Sequence, residues 1–221
     1  MEPIPSELLR RLEADRLVPV LTIENPARAP RLGETLARAG YGLAEVALRT
    51  EGALAALQAL AQAETGLLVG AGTVIRPDQA EAAAAAGAAF GVSPGLVENA
   101  AAAAAKAGLF FIPGAVTPSE ALRAAAAGFP LVKFFPAAAA GGPAWLRALA
   151  APLTESGLRW IPTGGIGQEN LADYLATPGV IACGGSWIAP PNLVARGAWE
   201  EIEERARLAL NRARRIKEGG P

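Results

Sequence analysis

Eight short apolar runs alternate with Ala/Leu-rich segments that carry helix caps, and this alternation predicts an α/β protein of the (β/α)8 TIM-barrel class. Two further observations narrow the choice. The 221 residues suit one such domain, and no Pro/Ser- or charge-rich linker divides them. No Gly-rich dinucleotide fingerprint follows the first run, which counts against the competing fold, a doubly wound open sheet. The expected organisation is a single domain over residues 1–221. It has an N-terminal helix at about 5–16, a barrel at about 18–190 and a C-terminal helix at about 198–217.

The first four expected strands are VPVLTI (18–23), LAEVAL (43–48), LLVGAG (67–72) and AFGVSP (89–94). LFFIPG (109–114), LVKFFP (131–136), RWIPTGG (159–165) and VIACGGS (180–186) follow. Each is short and mostly apolar, as strands buried on both faces of a parallel sheet are. Most end in glycine, proline, serine or threonine, which marks the exit into a loop. Between them lie the helices. Thr117, Pro118 and Glu120 form a capping box that starts one, and Gly128 ends it. Pro77 and Gly87 bracket a second, Leu96 to Ala107 form a third that stops at Gly108, and Gln168 to Ala176 form a fourth before Pro178. Pro30 falls inside the helix expected near 26–39, where its missing N–H leaves the start of that helix open. Arg205 to Lys217 read as a C-terminal amphipathic helix.

Composition excludes several functions. Histidine is absent and cysteine occurs once, at Cys183. That removes the commonest metal ligand, the usual proton carrier and any disulfide framework, and Cys183 reads as a small core residue. Acid–base chemistry then falls to carboxylates, a lysine, tyrosine or water. Net charge is −1 with no basic block, so neither nucleic acid nor membrane is an expected partner. The N-terminal MEPIPSELLRRLEADR carries acids and no long apolar core, and no run reads as a membrane span. A cytoplasmic location is expected.

Against this background LVKFFP stands out. The chain has only three lysines, Lys106, Lys133 and Lys217, and one of them sits between Leu131, Val132, Phe134 and Phe135. An apolar setting disfavours a charged amine. Glu45 is similarly placed in LAEVAL. Side chains two apart on a strand share a face, which groups Glu45, Ala47 and Arg49, then Leu131, Lys133 and Phe135, then Ile161 and Thr163. If these face inward, Glu45 and Lys133 approach each other from opposite walls. Arg49 lies about 13 Å further along, at roughly 3.3 Å per residue, near the rim. A bland reading stands beside this one: the two charges form a structural pair, or either reaches outward to water along its own chain.

The glycine pairs 164–165 and 184–185 follow the seventh and eighth runs, where barrels often bind phosphate. Backbone N–H groups there can approach an anion, and Ser186 adds a hydroxyl. Thr73 in GAGT is a further hydroxyl at a strand exit. A neutral lysine amine attacks a ketone to form an imine, a nearby carboxylate moves the protons, and an arginine grips a carboxylate with two hydrogen bonds. The set therefore points to a 2-keto acid that bears a distant phosphate. Two alternatives remain at this level, a phosphate-binding isomerase or epimerase without an imine, and a non-catalytic sensor of sugar phosphates.

In order, VPV, EVALRTEGAL, VGAGTV, VSPGL, IPGAVTPSE, VKFFPA, PTGGI and CGGSW run from Val18 to Trp199. In this combination the chain resembles the 2-keto-3-deoxy-6-phosphogluconate (KDPG) aldolases of the Entner–Doudoroff pathway, some of which also cleave 4-hydroxy-2-oxoglutarate. The resemblance implies a (β/α)8 barrel and a class I, Schiff-base lyase that needs no metal or cofactor, assembled as a homotrimer. It implies that Lys133 forms the Schiff base and Glu45 is the general acid–base. Arg49 and Thr73 would bind the substrate carboxylate and pyruvyl end, and Thr163 the substrate hydroxyl. Gly164, Gly165, Gly185 and Ser186 would hold the phosphate, with Pro94 and Phe135 shaping the wall. One departure is visible: a glutamate and an asparagine expected before the double glycine at Gly141 are replaced within Ala138, Ala139 and Ala140.

Overall fold

The computed structural model describes residues 3–217; the outermost residues of the expected 1–221 domain, 1–2 and 218–221, lie outside them. Nine strands form, all paired in parallel. They are β1 (Leu17–Leu21), β2 (Leu43–Ala47), β3 (Leu68–Gly72), β4 (Phe90–Val92), β5 (Phe110–Ile112), β6 (Gly114–Ala115), β7 (Leu131–Phe134), β8 (Arg159–Pro162) and β9 (Cys183–Gly185). Six make one curled sheet in the order β5-β4-β3-β2-β1-β9, and β6-β7-β8 make a second. Single bridges join Trp160 to Val180 and Thr163 to Gly184.

The fifth expected strand splits into β5 and β6 because Pro113 has no N–H to give a ladder; its carbonyl instead accepts the Lys133 N–H at 2.8 Å. The helices are α1 (Ser6–Asp15), α2 (Ala29–Arg38), α3 (Ala53–Gln62), α4 (Pro77–Ala85), α5 (Glu98–Lys106) and α6 (Pro118–Ala126), then α7 (Gly142–Ala150), α8 (Leu171–Leu175), α9 (Pro191–Arg196) and α10 (Trp199–Lys217). Pro30 finds its place in the first turn of α2, where no intrahelical N–H bond is lost, after a short 3-10 turn at Pro26–Arg28. Thr117 and Glu120 make the expected capping box on α6, with the Thr117 Oγ1 accepting from the Glu120 N–H at 3.3 Å. The C-terminal helix starts at Trp199, within the expected 198–217 and ahead of Arg205, where its amphipathic pattern was read, because Trp199 to Glu204 continue the same spiral. α3, α7 and α9 carry no side-chain N-cap hydrogen bond, and the sequence reading did not place them.

Two apolar clusters occupy the two faces of the curled sheet. Val18, Leu43, Phe90, Leu131 and Ile161 form the inner one, closed by Leu8 and Leu12 of α1. Leu17, Leu21, Val46, Val132 and Phe134 face outward and pack under the helices. This alternation decides the site. Lys133 is two residues beyond Leu131, Glu45 two beyond Leu43, and Thr163 two beyond Ile161, so all three project into the inner space above the apolar plug.

Candidate active site

Above the plug, at the C-terminal ends of the strands, lies a cavity of about 290 Å3. Glu45 and Lys133 stand in its floor, 5% and 6% exposed. The Lys133 Nζ donates to Glu45 Oε1 at 3.1 Å, across 88 residues of sequence. The same Nζ sits 5.6 Å from the centre of the Phe135 ring, within range of a cation–π contact. A buried pair of this kind stabilises weakly, since desolvation offsets most of the attraction. Its position in a cavity gives it a chemical use: the amine's proton has an acceptor one hydrogen bond away, and both groups face open space.

The neighbouring strands are shaped around these side chains. Glu45 lies flat over Gly72 of β3; a Cβ there would fall 2.8 Å from Glu45 Cδ, 2.9 Å from Cγ and closer still to Oε1. Thr163 lies in the same way over Gly184 of β9, where a Cβ would come within 2.9 Å of its Cγ2. Immediately after Gly72, Thr73 turns into the cavity wall with φ +63°. That left-handed conformation costs a β-branched residue about 1–2 kcal/mol, and here it bends the end of β3 toward the chamber.

Arg49 and Ser186 are exposed at the mouth, and Pro94 and Phe135 form part of its wall. The Arg49 Nη2 donates to Thr22 Oγ1 at 3.1 Å. Gly164 and Gly165 take φ +98° and +71°, which favours glycine and turns the chain tightly beside Phe135. The turn is braced from below: the Ala137 and Ala138 N–H groups donate to the Thr163 and Gly164 carbonyls, each at 2.9 Å. Of the alanines that replace the expected polar residues, Ala138 thus supports the turn through its backbone, and a Cβ on Gly165 would meet its methyl at 2.5 Å.

Of the residues singled out from sequence, Glu45, Arg49, Thr73, Pro94, Lys133, Phe135, Thr163, Gly164, Gly165 and Ser186 all border this one cavity. Gly185 does not; its neighbour Gly184 does. Gly185 is covered instead by Trp187, whose indole nitrogen would lie 2.7 Å from a Cβ there. Ala47, grouped with Glu45 by strand alternation, completes the lining together with Val20 and Ile166, which were not singled out. The signal for Val20 was available, since it shares a strand face with Val18 and pairs with Glu45. A larger cavity of about 720 Å3 opens between α5 and α6 beside the strand starts, walled mainly by alanines, Phe110 and Phe129. Its lining carries two charged side chains, Glu98 and Arg123, and none of the candidate site residues. Among the described residues no group of three or more Cys, Asp or Glu side chains is placed to hold a metal ion. No helix among them is long and apolar enough to cross a membrane.

Comparison with known proteins leads to one family. The family model described as "Aldolase: KDPG and KHG aldolase" matches residues 8–205. The 2-dehydro-3-deoxy-phosphogluconate aldolase of Treponema pallidum is 42% identical over 195 residues, 88% of this chain and 92% of the relative. The KHG/KDPG aldolase of Escherichia coli K12 is 39% identical over 198 residues, 90% of this chain and 92% of the relative. The crystal structure of the KDPG aldolase of Legionella pneumophila superposes with a TM-score of 0.87 at 36% identity, over 93% of this chain and 98% of that one. It holds pyruvate captured at low pH as a covalent carbinolamine. A lysine and a glutamate meeting at the floor of a strand-end chamber, and agreement along about nine-tenths of the sequence, lead to one assignment: this chain belongs to the KDPG and KHG aldolase family.

Proposed function

We propose that this protein is a class I aldolase that cleaves 2-keto-3-deoxy-6-phosphogluconate to pyruvate and glyceraldehyde 3-phosphate, and also takes 4-hydroxy-2-oxoglutarate, releasing pyruvate and glyoxylate. The observation that carries this reading is the Lys133–Glu45 pair, buried at 3.1 Å on the cavity floor. In this mechanism Glu45 accepts a proton from the amine, and the freed Nζ attacks the C2 carbonyl to give a carbinolamine. Glu45 returns the proton as water leaves, and the iminium forms. Loss of the C4 hydroxyl proton then breaks the C3–C4 bond, and its electron pair flows to the iminium nitrogen as an enamine. The aldehyde departs, C3 is protonated, and water hydrolyses the imine to free pyruvate. One carboxylate can serve each proton transfer because it lies beside the nitrogen throughout.

The substrate is read from end to end. Arg49 at the mouth binds the carboxylate with two parallel hydrogen bonds, Thr73 faces the pyruvyl end, and Thr163 contacts the C4 hydroxyl. The phosphate lies over Gly164, Gly165 and Ser186, with Gly185 shaping the loop by admitting Trp187. Among the described residues no cation lines the cavity beside Gly164, Gly165 and Ser186, so backbone N–H groups and one hydroxyl carry the anion. We read the two sheets as one (β/α)8 barrel in a single domain, supported by the Trp160–Val180 and Thr163–Gly184 bridges, which link the chain around β8 to that around β9, and by the single residue, Pro113, between β5 and β6. The homotrimer and the cytoplasmic location rest on the family resemblance and on the composition.

Incubation with pyruvate and borohydride tests the reading. Reduction of the imine should fix a pyruvyl group on the peptide that contains Lys133. An unmodified chain, or label confined to the exposed Lys106, would overturn it. An isomerase and a sugar-phosphate sensor both leave the buried amine without a use, and neither finds support among the relatives.

A further inference from the structure

We propose that Thr22 is a positioning residue for substrate binding: its hydroxyl holds the Arg49 guanidinium at the mouth of the Lys133 chamber. The proposal rests on the reading of Arg49 as the group that binds the substrate carboxylate. Thr22 follows β1 directly and, by alternation, shares a face with Val20, which lines the chamber. Its Oγ1 accepts from Arg49 Nη2 at 3.1 Å. Among the described residues it is the one side chain hydrogen-bonded to that guanidinium.

Arg49 needs such an anchor. It is exposed, and a free arginine loses substantial rotamer entropy when one geometry is imposed on it. It also stands between two cavities. On one side is the Lys133 chamber; on the other is a space of about 340 Å3 bordered by Glu51, Arg76 and Asp78. Glu51 of that second space attracts a guanidinium that is not held, while Asp78 is already paired with Arg76 at 3.0 Å. A hydroxyl is well suited to hold it. It uses one N–H donor and leaves the rest for a bidentate carboxylate, and it carries no charge that would compete with the substrate's own. An acidic residue at position 22 would neutralise the arginine it holds.

The test compares Thr22→Val, which keeps the shape and removes the acceptor, with Thr22→Ser, which keeps the acceptor. Urea melts first establish that each variant is folded. For Thr22→Val the KM for 2-keto-3-deoxy-6-phosphogluconate, and the half-saturating pyruvate concentration for borohydride trapping, should both rise roughly 3- to 10-fold with kcat nearly unchanged, the range that one such hydrogen bond is worth. Thr22→Ser should stay within about 2-fold of the parent. In an Arg49→Ala background, Thr22→Val should have no further effect. Three results would overturn the proposal: an unchanged KM in Thr22→Val, a loss confined to kcat, or a Thr22→Val effect that persists without Arg49. If Arg49→Ala itself leaves both constants unchanged, the carboxylate reading fails and the proposal falls with it. If Arg49→Ala raises them while Thr22→Val does not, only the role of Thr22 is refuted.

Discussion

Gly72→Ala is the substitution that tests the chamber most directly, although residue 72 contributes no functional group. Residue 72 pairs with Ala47 on one side and Val92 on the other, so β3 is held between two strands and cannot retreat. A methyl group there would lie 2.8 and 2.9 Å from Glu45 Cδ and Cγ, well inside the roughly 3.5–4.0 Å of ordinary carbon contacts. The Glu45 side chain must therefore shift by about 1 Å or more to restore normal contact. That is enough to break a 3.1 Å hydrogen bond to Lys133. Overpacking a closed interior costs about 1–3 kcal/mol, and leaving a buried charge unpaired adds to it. On the proposed role of Glu45 the catalytic loss is larger in proportion, because a displaced general acid–base forfeits about 100-fold or more in kcat. Pyruvate release, followed through a coupled lactate dehydrogenase, measures kcat at a temperature where circular dichroism shows the variant folded. Gly95→Ala serves as the control: a Cβ there meets nothing within 4 Å. A Gly72→Ala enzyme within about 3-fold of the parent would refute the argument that this glycine exists to seat Glu45.

Four other outcomes follow from groups outside the chamber. Thr117→Ala removes the α6 cap and should cost about 1 kcal/mol in urea denaturation; an unchanged midpoint would show that the cap is not used. The Glu120 carboxyl of the same box is held below its ordinary 4.5, chiefly by the Val116 N–H. Its contribution is therefore complete above about pH 4.5 and is lost as the pH falls, so the difference between the parent and Glu120→Gln should shrink in acid. Asp15 behaves in the opposite sense. Burial raises its carboxyl above the usual 3.8, and this outweighs the Gly42 N–H and Arg214 that lower it. Its stabilisation is complete below about pH 3.8 and declines as the pH rises through the folded-state value, so Asp15→Asn should gain on the parent over that window. A difference moving in the parent's favour would show that the hydrogen bonds prevail. Cys183, fully buried with its thiol pushed up by desolvation, should resist alkylation at neutral pH until the chain unfolds. Rapid labelling of the native protein would contradict its burial.

Much of the fold was legible because strand and helix signals are local. Runs such as LAEVAL and LVKFFP announce buried strands by composition, and Thr117 with Glu120 announces a helix start by spacing alone. Parity then grouped Glu45 with Arg49 and Lys133 with Phe135, and left open which way each group faces. Elements without such signals were missed. α3 begins at Ala53 after Gly52 and α7 after Gly141, neither with a side-chain cap. Pro30 looked misplaced because its fit depends on a 3-10 turn at Pro26–Arg28 that ends just ahead of it. The glycine pair at 184–185 was read as a unit, yet the two residues do different things. Gly184 makes room for Thr163 and Gly185 for Trp187, a division set by what lies across from each.

By itself, then, the sequence determined the strand–helix alternation, which residues share a face on the strands of Glu45, Lys133 and Thr163, and the candidate groups, because backbone periodicity and capping chemistry act over a few residues. Tertiary structure decided which of those groups meet. The separation of 3.1 Å between Lys133 and Glu45, the seat that Gly72 provides, and the tether from Thr22 to Arg49 arise only when the sheet curls. Contacts between distant strands depend on register and curvature, which no single stretch of the chain encodes.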